Sequence, residues 1–185
     1  TVQTATRVRA SRPVAAPTLR AQLAAVAEST LPRVVKCGLL GSAANVRVVA
    51  EVVAPLGCAL VVDPVTAASG GGARLGGARL ADALVERLFP LATVVTVNLP
   101  EAEHLCGWRI TDEGGMREAA RAIAALGPRA VVVKGGHLAG RPVDLLYHGG
   151  RFHRFVGARV PVSMHGTGCA FASAVAAGIA LRRGL

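Results

Sequence analysis

Two apolar patterns alternate along this 185-residue chain. Within 17–30, Leu19, Leu23 and Val26 recur at helical spacing, which predicts an amphipathic helix. The same spacing predicts further helices at 42–54, 78–90 and 115–126. Short runs rich in valine predict strands at 33–36, 59–62, 92–97 and 130–134. Because strands and helices of this length alternate in βαβ units, the pattern predicts an α/β fold with a parallel sheet covered by helices.

The pattern changes in the last third of the chain. Segments 143–147 and 151–156 flank a His-Gly-Gly turn at 148–150, which predicts an antiparallel hairpin at the sheet edge. An apolar run from Ala170 to Leu181 then predicts a last helix. No repeat, linker or shift in composition divides the chain, so we expect one domain over residues 1–185.

A glycine-rich turn precedes that last helix and is the most informative stretch of the chain. Gly166, Thr167 and Gly168 allow a tight turn whose backbone N–H groups point into one small volume. Since these groups lie at the positive end of a helix dipole, the turn is predicted to bind an anion. Cys169 follows at the helix N-terminus, where we expect a lowered thiol pKa. Such a site favours phosphoryl or acyl transfer, and His165 beside it is a further candidate.

Polar side chains follow the ends of the predicted parallel strands. They are Lys36, Asp63, Asn98, Glu101, Lys134 and His137. Because ligands of such sheets lie beyond the carboxyl ends of the strands, we expect these side chains to converge on the anion-binding turn. Of 21 basic residues only Lys36 and Lys134 are lysines, which favours a role for a compact ammonium group. Lysines beside carboxylates suit a magnesium–nucleotide site, with Asp63 and Glu101 holding Mg²⁺ through water.

Several of these residues also have a structural explanation. Asp63 precedes a proline, and Asp-Pro often opens a turn. Asn98 and Glu101 have the spacing of a helix capping box, and both interpretations can hold at once. Cys169 can serve as a small packing residue. The glycine-rich segment 69–77 lacks the Gly-Lys-Ser/Thr of a P-loop, so we expect a mobile loop near the nucleotide instead.

Charge and cysteine content narrow the class of protein. A net charge of +10 suits anionic small substrates, whereas scattered arginines and 3% aromatic residues argue against nucleic-acid binding. Cys37, Cys58 and Cys106 lack metal-ligand spacing, so we expect buried free thiols and no zinc. No apolar run approaches the ~18–20 residues of a membrane span, and no secretory signal opens the chain. We therefore expect a cytoplasmic protein without membrane or nucleic-acid partners.

Together these motifs resemble the hydroxymethylpyrimidine/phosphomethylpyrimidine kinases of thiamine biosynthesis, in the ribokinase-like superfamily. The combination of the GTGC turn with KGGH and NLPEAE makes the similarity specific. It is carried by residues 35–42, 62–65, 88–103, 124–138, 143–155 and 165–177. The resemblance implies a three-layer α/β/α sandwich. It also implies phosphorylation, with ATP and Mg²⁺, of a pyrimidine hydroxymethyl group and then of the monophosphate.

The resemblance also implies roles for single residues. Cys169 looks like the residue that activates the substrate hydroxyl, next to an anion hole made by Gly166, Thr167 and Gly168. On the nucleotide side, Asn98 and Glu101 match a pair associated with magnesium and phosphate, Lys134 matches a phosphate ligand, and Asp63 lies beside them. On the substrate side we expect Lys36, Leu39 and His165, with Leu39 facing the pyrimidine.

The chain departs from the family pattern in places. Thr66, Gly70 and Val97 replace the usual residues, and the family's glycine-rich opening segment and closing helices are not found. We therefore expect a kinase domain that is truncated at both ends. Pyridoxal/pyridoxine kinase of the same superfamily is the nearest alternative function, and a non-catalytic regulatory module that binds pyrimidine or nucleotide is the second. The expected partners are small molecules, and related kinases suggest a homodimer.

Overall fold

A computed structural model describes residues 1–4, 8–66, 76, 77, 79–160 and 166–182. Its strands are β1 (Val2–Gln3), β2 (Val8–Ala10), β3 (Val34–Cys37), β4 (Ala59–Val62), β5 (Val94–Asn98), β6 (Ala130–Lys134), β7 (Val143–His148) and β8 (Arg151–Val156). Its helices are α1 (Ala16–Ser29), α2 (Ala43–Val53), α3 (Leu80–Ala83), α4 (Leu99–Cys106), α5 (Glu113–Ala124) and α6 (Thr167–Ala180).

A six-stranded sheet in the order β3-β4-β5-β6-β7-β8 forms the centre of the fold. Strands β3 to β6 are parallel, whereas β7 and β8 are antiparallel to their neighbours. Gly149 and Gly150 connect β7 to β8 with φ angles of 56° and 78°, which glycine adopts without strain. The predicted parallel sheet and its edge hairpin are confirmed.

Helices cover the two faces of the sheet unequally. On one face α2, α3, α4 and α5 pack against alternate strand residues such as Leu60, Val95 and Val131. On the other face, Ala172 and Ala176 of α6 pack against Val61 and Val132. The valines of β4 to β6 are therefore buried on both sides, as expected for parallel strands. Three layers result, and α6 begins at the edge where the parallel strands end.

Helix α4 was not among the predicted helices. Its N-terminus is a capping box in which Asn98 and Glu101 each accept a hydrogen bond from the other's backbone N–H. Pro100 lies in the first turn, where its missing N–H costs nothing. The helix has only eight residues, so its apolar period is too short to stand out beside the strand that precedes it.

The prediction of one regular helix at 78–90 is wrong, because the segment forms three short helical pieces. α3 has four residues and continues as a widened π-turn over Leu84–Leu88 and a 3-10 turn over Phe89–Leu91. Pro90 lacks an N–H and cannot continue a regular α-helical ladder. Leu88 and Phe89, which are adjacent in sequence, are both fully buried in this irregular segment.

The structure differs from the sequence-based expectations in two further places. It contains the short pair β1 and β2, which was not predicted because two- and three-residue strands carry almost no periodicity. Cys37 is a buried free thiol as expected, but Cys58 and Cys106 are only half-buried. Both lie at the ends of elements, where an apolar neighbour in sequence does not guarantee burial.

Candidate functional site

The only two lysines of the chain meet at one carboxylate. Lys36 lies in β3, Lys134 ends β6, and Asp63 directly follows β4. The Nζ atom of Lys36 is 3.7 Å from Oδ2 of Asp63, and the Nζ atom of Lys134 is 3.7 Å from Oδ1. Asp63 is only 2% exposed. The convergence predicted from the strand ends therefore holds for these three residues.

Strand register explains why these side chains meet. Lys36 pairs with Val61 across β3 and β4, and Val61 packs on the side of α6. Lys134 lies two residues beyond Val132, which packs on the same side. Because side chains alternate between the two faces along a strand, Lys36, Asp63 and Lys134 all project toward α6.

The cluster leaves hydrogen-bonding groups available. Within the described residues, neither lysine ammonium donates a hydrogen bond, and Oδ2 of Asp63 accepts none although it is buried. Each ammonium carries three donors, whereas the ion pairs at 3.7 Å are longer than hydrogen bonds. Oxygen atoms of an anionic ligand could therefore bind both lysines without breaking a hydrogen bond.

The N-terminus of α6 lies against this cluster. Gly166 caps the helix with a φ of 86°, a left-handed conformation that favours glycine. A Cβ atom at Gly168 would lie 3.2 Å from the Nζ atom of Lys134. The absence of a side chain at Gly168 therefore lets the ammonium approach the first helical turn. Positive charge and backbone N–H groups are concentrated in one place, which is the environment expected for an anion site.

Cys169 lies in the same turn, and the prediction of a lowered thiol pKa is wrong. The pKa of Cys169 is raised above its ordinary value, mainly because its sulfur is partly buried although the residue is exposed overall. The negative charge of Asp63 is the second cause, while the charges of Lys36 and Lys134 oppose the shift. The helix dipole alone predicts a lowered pKa, but it takes no account of the burial of the sulfur or of the nearby carboxylate.

Asn98 and Glu101 have the structural role that their spacing suggested. The Oε2 atom of Glu101 accepts from the backbone N–H of Asn98 at 2.9 Å, and Oδ1 of Asn98 accepts from that of Glu101 at 2.8 Å. Burial raises the pKa of Glu101, while the backbone hydrogen bond and the charge of Lys134 oppose that shift. The capping interpretation is confirmed, and the magnesium role stays a prediction.

The structure also adds Asp144, which the sequence analysis did not consider. Asp144 pairs with Lys134 across β6 and β7, and its Oδ1 accepts from the backbone N–H of Gly135 at 3.1 Å. Burial raises the pKa of this carboxyl, and the hydrogen bond from Gly135 opposes the shift. Asp144 thus fixes the residue that follows Lys134. Its position opposite Lys134 depends on the hairpin register, which the sequence does not specify to one residue.

The other candidates divide into three groups. Leu39 is 38% exposed on the loop after β3, which leaves it accessible to a ligand. His137 is exposed, and no hydrogen bond or ion pair joins it to the lysine cluster in the parts of the chain that the structure describes. His165 and most of the glycine-rich segment 69–77, with its expected mobile loop, lie outside the described residues.

Among the described residues, no group of three or more His, Cys, Asp or Glu side chains could hold a metal ion. None of the described helices combines the length and apolar character needed to cross a membrane.

The family model described as phosphomethylpyrimidine kinase matches residues 1–185. The chain belongs to the phosphomethylpyrimidine kinase family. The predicted resemblance is thereby confirmed, and so is the ribokinase-like fold, which the solved structures below share.

Named relatives agree with this family. The chain is 51% identical over 158 residues to the thiamine biosynthesis bifunctional protein ThiED of Geobacter sulfurreducens, covering 84% of this chain and 32% of that protein. It is 45% identical over 163 residues to the hydroxymethylpyrimidine/phosphomethylpyrimidine kinase of Streptomyces coelicolor, covering 88% of this chain and 60% of that protein. The chain thus spans less than two thirds of the length of either relative.

Solved structures with the same fold include a pyridoxal kinase and a phosphomethylpyrimidine kinase. An ADP complex of Bacillus subtilis pyridoxal kinase superposes with a TM-score of 0.85 at 34% identity, covering 96% of this chain and 70% of that one. Phosphomethylpyrimidine kinase from Clostridium difficile 630 superposes with a TM-score of 0.82 at 32% identity, covering 97% of this chain and 74% of that one. Fold similarity therefore does not distinguish the two substrates.

Proposed function

We propose that this protein is an ATP-dependent phosphotransferase that phosphorylates 4-amino-5-hydroxymethyl-2-methylpyrimidine and then its monophosphate. The observation that carries the proposal is the double ion pair of Asp63 with Lys36 and Lys134 beside the N-terminus of α6. This arrangement places positive charge and backbone N–H groups, which stabilise a transferring phosphoryl group, beside the thiol of Cys169. Membership of the phosphomethylpyrimidine kinase family supports the substrate.

The nucleotide phosphates bind, in this proposal, to the backbone N–H groups of Gly166, Thr167 and Gly168. Lys134 neutralises charge on the transferring phosphoryl group, because its ammonium already lies against Gly168. A loose phosphoryl-transfer transition state needs positioning and charge neutralisation rather than covalent help from the protein. The ADP complex of the similar B. subtilis kinase supports nucleotide use.

The pyrimidine binds on the side of β3, where Lys36 and Leu39 lie. His165 stays a substrate-side candidate from the sequence. Lys36 pairs with the Asp63 oxygen opposite the one that Lys134 contacts, so the two ammonium groups flank the carboxylate. In the second reaction we assign Lys36 to bind the phosphate of the monophosphate substrate. Leu39 contributes an exposed apolar surface to the ring.

Cys169 accepts the proton of the substrate hydroxyl on its Sγ atom. The hydroxyl oxygen attacks the γ-phosphorus, the bond from that phosphorus to the bridging oxygen breaks, and ADP leaves with the electron pair. Because the pKa of Cys169 is raised, its thiolate is a strong base but a small fraction of the population near neutral pH. Deprotonation of this thiol is therefore expected to limit the rate at low pH.

Magnesium is the metal proposed for this reaction, and it neutralises phosphate charge when bound. The described residues offer no cage of three or more ligands, which fits an ion carried mainly by phosphate and water with one or two carboxylates. Glu101 and Asp63 are the proposed carboxylates, through water. Of the two, Asp63 is already paired with both lysines, so Glu101 is the better placed.

Pyridoxal phosphorylation is the second candidate function. The superposition on B. subtilis pyridoxal kinase, with a TM-score of 0.85, supports this candidate. Pyridoxal also carries a hydroxymethyl group on a flat nitrogen heterocycle, so the same phosphate machinery could serve both substrates.

We also propose a single domain over 1–185, a cytoplasmic location and a homodimer. Four free cysteines fit a reducing compartment. Both β3 and β8 lie at an edge of the sheet, where a second copy could pair. Sedimentation of the purified full-length protein would test the dimer directly.

The test is ATP consumption by the full-length protein with hydroxymethylpyrimidine and pyridoxal compared side by side. A preference for the pyrimidine, together with a loss of turnover in Cys169→Ala, supports the proposed function. A preference for pyridoxal moves the protein to the second candidate. Tight nucleotide binding without turnover of either substrate contradicts both and favours a non-catalytic regulatory module.

A further inference from the structure

Arg159 makes an unusual set of hydrogen bonds for an exposed residue. Its guanidinium donates to three backbone carbonyl oxygens of the loop 135–142, which connects β6 to β7. Nη1 donates to Gly136 at 3.0 Å and Nη2 to Leu138 at 2.7 Å. Gly140 accepts from both Nε at 3.2 Å and Nη2 at 3.1 Å. One side chain therefore binds every second residue from 136 to 140.

The chemistry of these contacts is specific to arginine. A guanidinium is a rigid planar fork with five N–H donors, and here it uses all three of its nitrogen atoms. Lysine would bring the same charge but could not reproduce this planar set of donors. Arg159 forms no ion pair with an acidic side chain in the described ranges, so the carbonyl groups are its partners.

The loop and Arg159 belong to the two segments that flank the anion site. The loop begins directly after Lys134, and its first residue, Gly135, is fixed by Val143 and Asp144. Arg159 lies after β8, seven residues before Gly166 at the start of α6. These two segments also approach each other inside the site, where the Lys134 ammonium lies against Gly168.

Backbone hydrogen bonds hold the two ends of the loop. The N–H of Gly135 donates to Val143 at 2.9 Å, and the N–H of Gly157 donates to Pro142 at 3.0 Å. Between these ends, the Arg159 guanidinium binds the carbonyl groups of residues 136, 138 and 140. Loss of the guanidinium would therefore leave both ends of the loop in place but remove the anchor of its middle.

We propose that Arg159 is a positioning residue for the nucleotide-phosphate site. It holds the middle of the loop 135–142 against the residues that follow β8, and so it fixes the loop that directly follows Lys134. The inference rests on the proposed function only in taking the anion at this site to be a nucleotide phosphate. Arg159 itself does not contact the reacting atoms in this proposal.

The test compares Arg159→Ala and Arg159→Lys with Arg151→Ala in the full-length protein. Arg151 is an exposed arginine in β8 whose side chain makes no hydrogen bond or ion pair within the described residues, so its replacement controls for the loss of charge alone. We expect both Arg159 variants to raise the Kd of ADP by about tenfold, because small displacements of binding groups have large effects. Both should also speed amide hydrogen exchange across 135–142, whereas Arg151→Ala should do neither.

The outcomes separate this inference from the proposed function. Wild-type protein that binds no ADP contradicts the nucleotide site and with it both proposals. Wild-type protein that binds ADP, with Arg159→Ala matching Arg151→Ala in affinity and exchange, overturns the Arg159 inference alone. Full rescue by Arg159→Lys also overturns it, since charge rather than the fork of donors would then explain the effect.

Discussion

Lys134 and Asp63 are joined by an ion pair of 3.7 Å in which the carboxylate is buried and the ammonium is not hydrogen-bonded within the described residues. The same carboxylate holds Lys36 through its other oxygen. Asp63 therefore competes with any anionic ligand for both lysines. This competition suggests that Asp63 weakens anion binding in the resting protein while it keeps the two ammonium groups in place.

Asp63→Asn should separate these two effects. Without the negative charge, both lysines become free to bind phosphate, so the Kd of ADP measured without magnesium should fall. The free energy of unfolding should also fall, by less than the ~3–5 kcal/mol that stranding a fully buried charge costs, because both ammonium groups reach water. Calorimetric ADP titration and urea unfolding measure the two quantities. Weaker ADP binding by this variant would contradict the competition.

Cys169 should react with iodoacetamide more slowly near neutral pH than an ordinary exposed thiol. A raised pKa means that less thiolate is present at a given pH, so the rate should reach half its maximum at a higher pH than usual. Asp63→Asn should move that profile to lower pH, because the carboxylate is one cause of the raised pKa. The measurement follows Cys169 by mass spectrometry, and an unshifted profile in the variant would rule out coupling through Asp63.

The rate of turnover should also depend on the ionisation of the Cys169 thiol. If thiolate Cys169 is the base, kcat/KM should rise with pH over the range in which the thiol ionises. Cys169→Ala should cut kcat by about 10²–10⁴-fold with little change in ADP affinity, as expected for a general base. A variant with unchanged kcat would leave Cys169 with a packing role only.

The sequence was sufficient for the parts of the site that depend on strand ends. Lys36, Asp63 and Lys134 follow valine runs, and the rule that parallel strands end at one edge brings them together. The direction of the Cys169 pKa shift could not be obtained in this way, because it depends first on the burial of the sulfur and then on a carboxylate more than 100 residues earlier in the chain. Arg159 could not be found either, since it is one of many scattered arginines and its partners are backbone carbonyls.

The irregular segments show the same limit. Periodicity predicted one helix at 78–90, yet the chain forms three short pieces around Pro90. In contrast, the spacing of Asn98 and Glu101 carried enough local chemistry to suggest the capping box that starts α4. Local hydrogen-bonding rules therefore succeeded where the average pattern of apolar residues did not.

Gly168→Ala should change stability and affinity in opposite directions. Alanine in a helix is favoured over glycine by up to about 1 kcal/mol, so thermal stability should rise slightly. Its Cβ atom would lie 3.2 Å from the Nζ atom of Lys134 and push the ammonium away, so the KM for ATP should rise. Gly178→Ala in the same helix is the control, because a Cβ there meets nothing within 4 Å. An equal effect of both variants on KM would exclude the contact with Lys134.

Glu101→Gln should separate capping from magnesium binding. A glutamine side-chain oxygen can still accept from the backbone N–H of Asn98, so the start of α4 should stay intact. If the carboxylate helps to hold magnesium, the Mg²⁺ concentration needed for half-maximal turnover should rise. Asn98→Ala is the matched control, because it removes the acceptor for the Glu101 backbone N–H and should cost about 1 kcal/mol of stability. An unchanged magnesium requirement in Glu101→Gln, with normal stability, would mean that the carboxylate serves the helix cap alone.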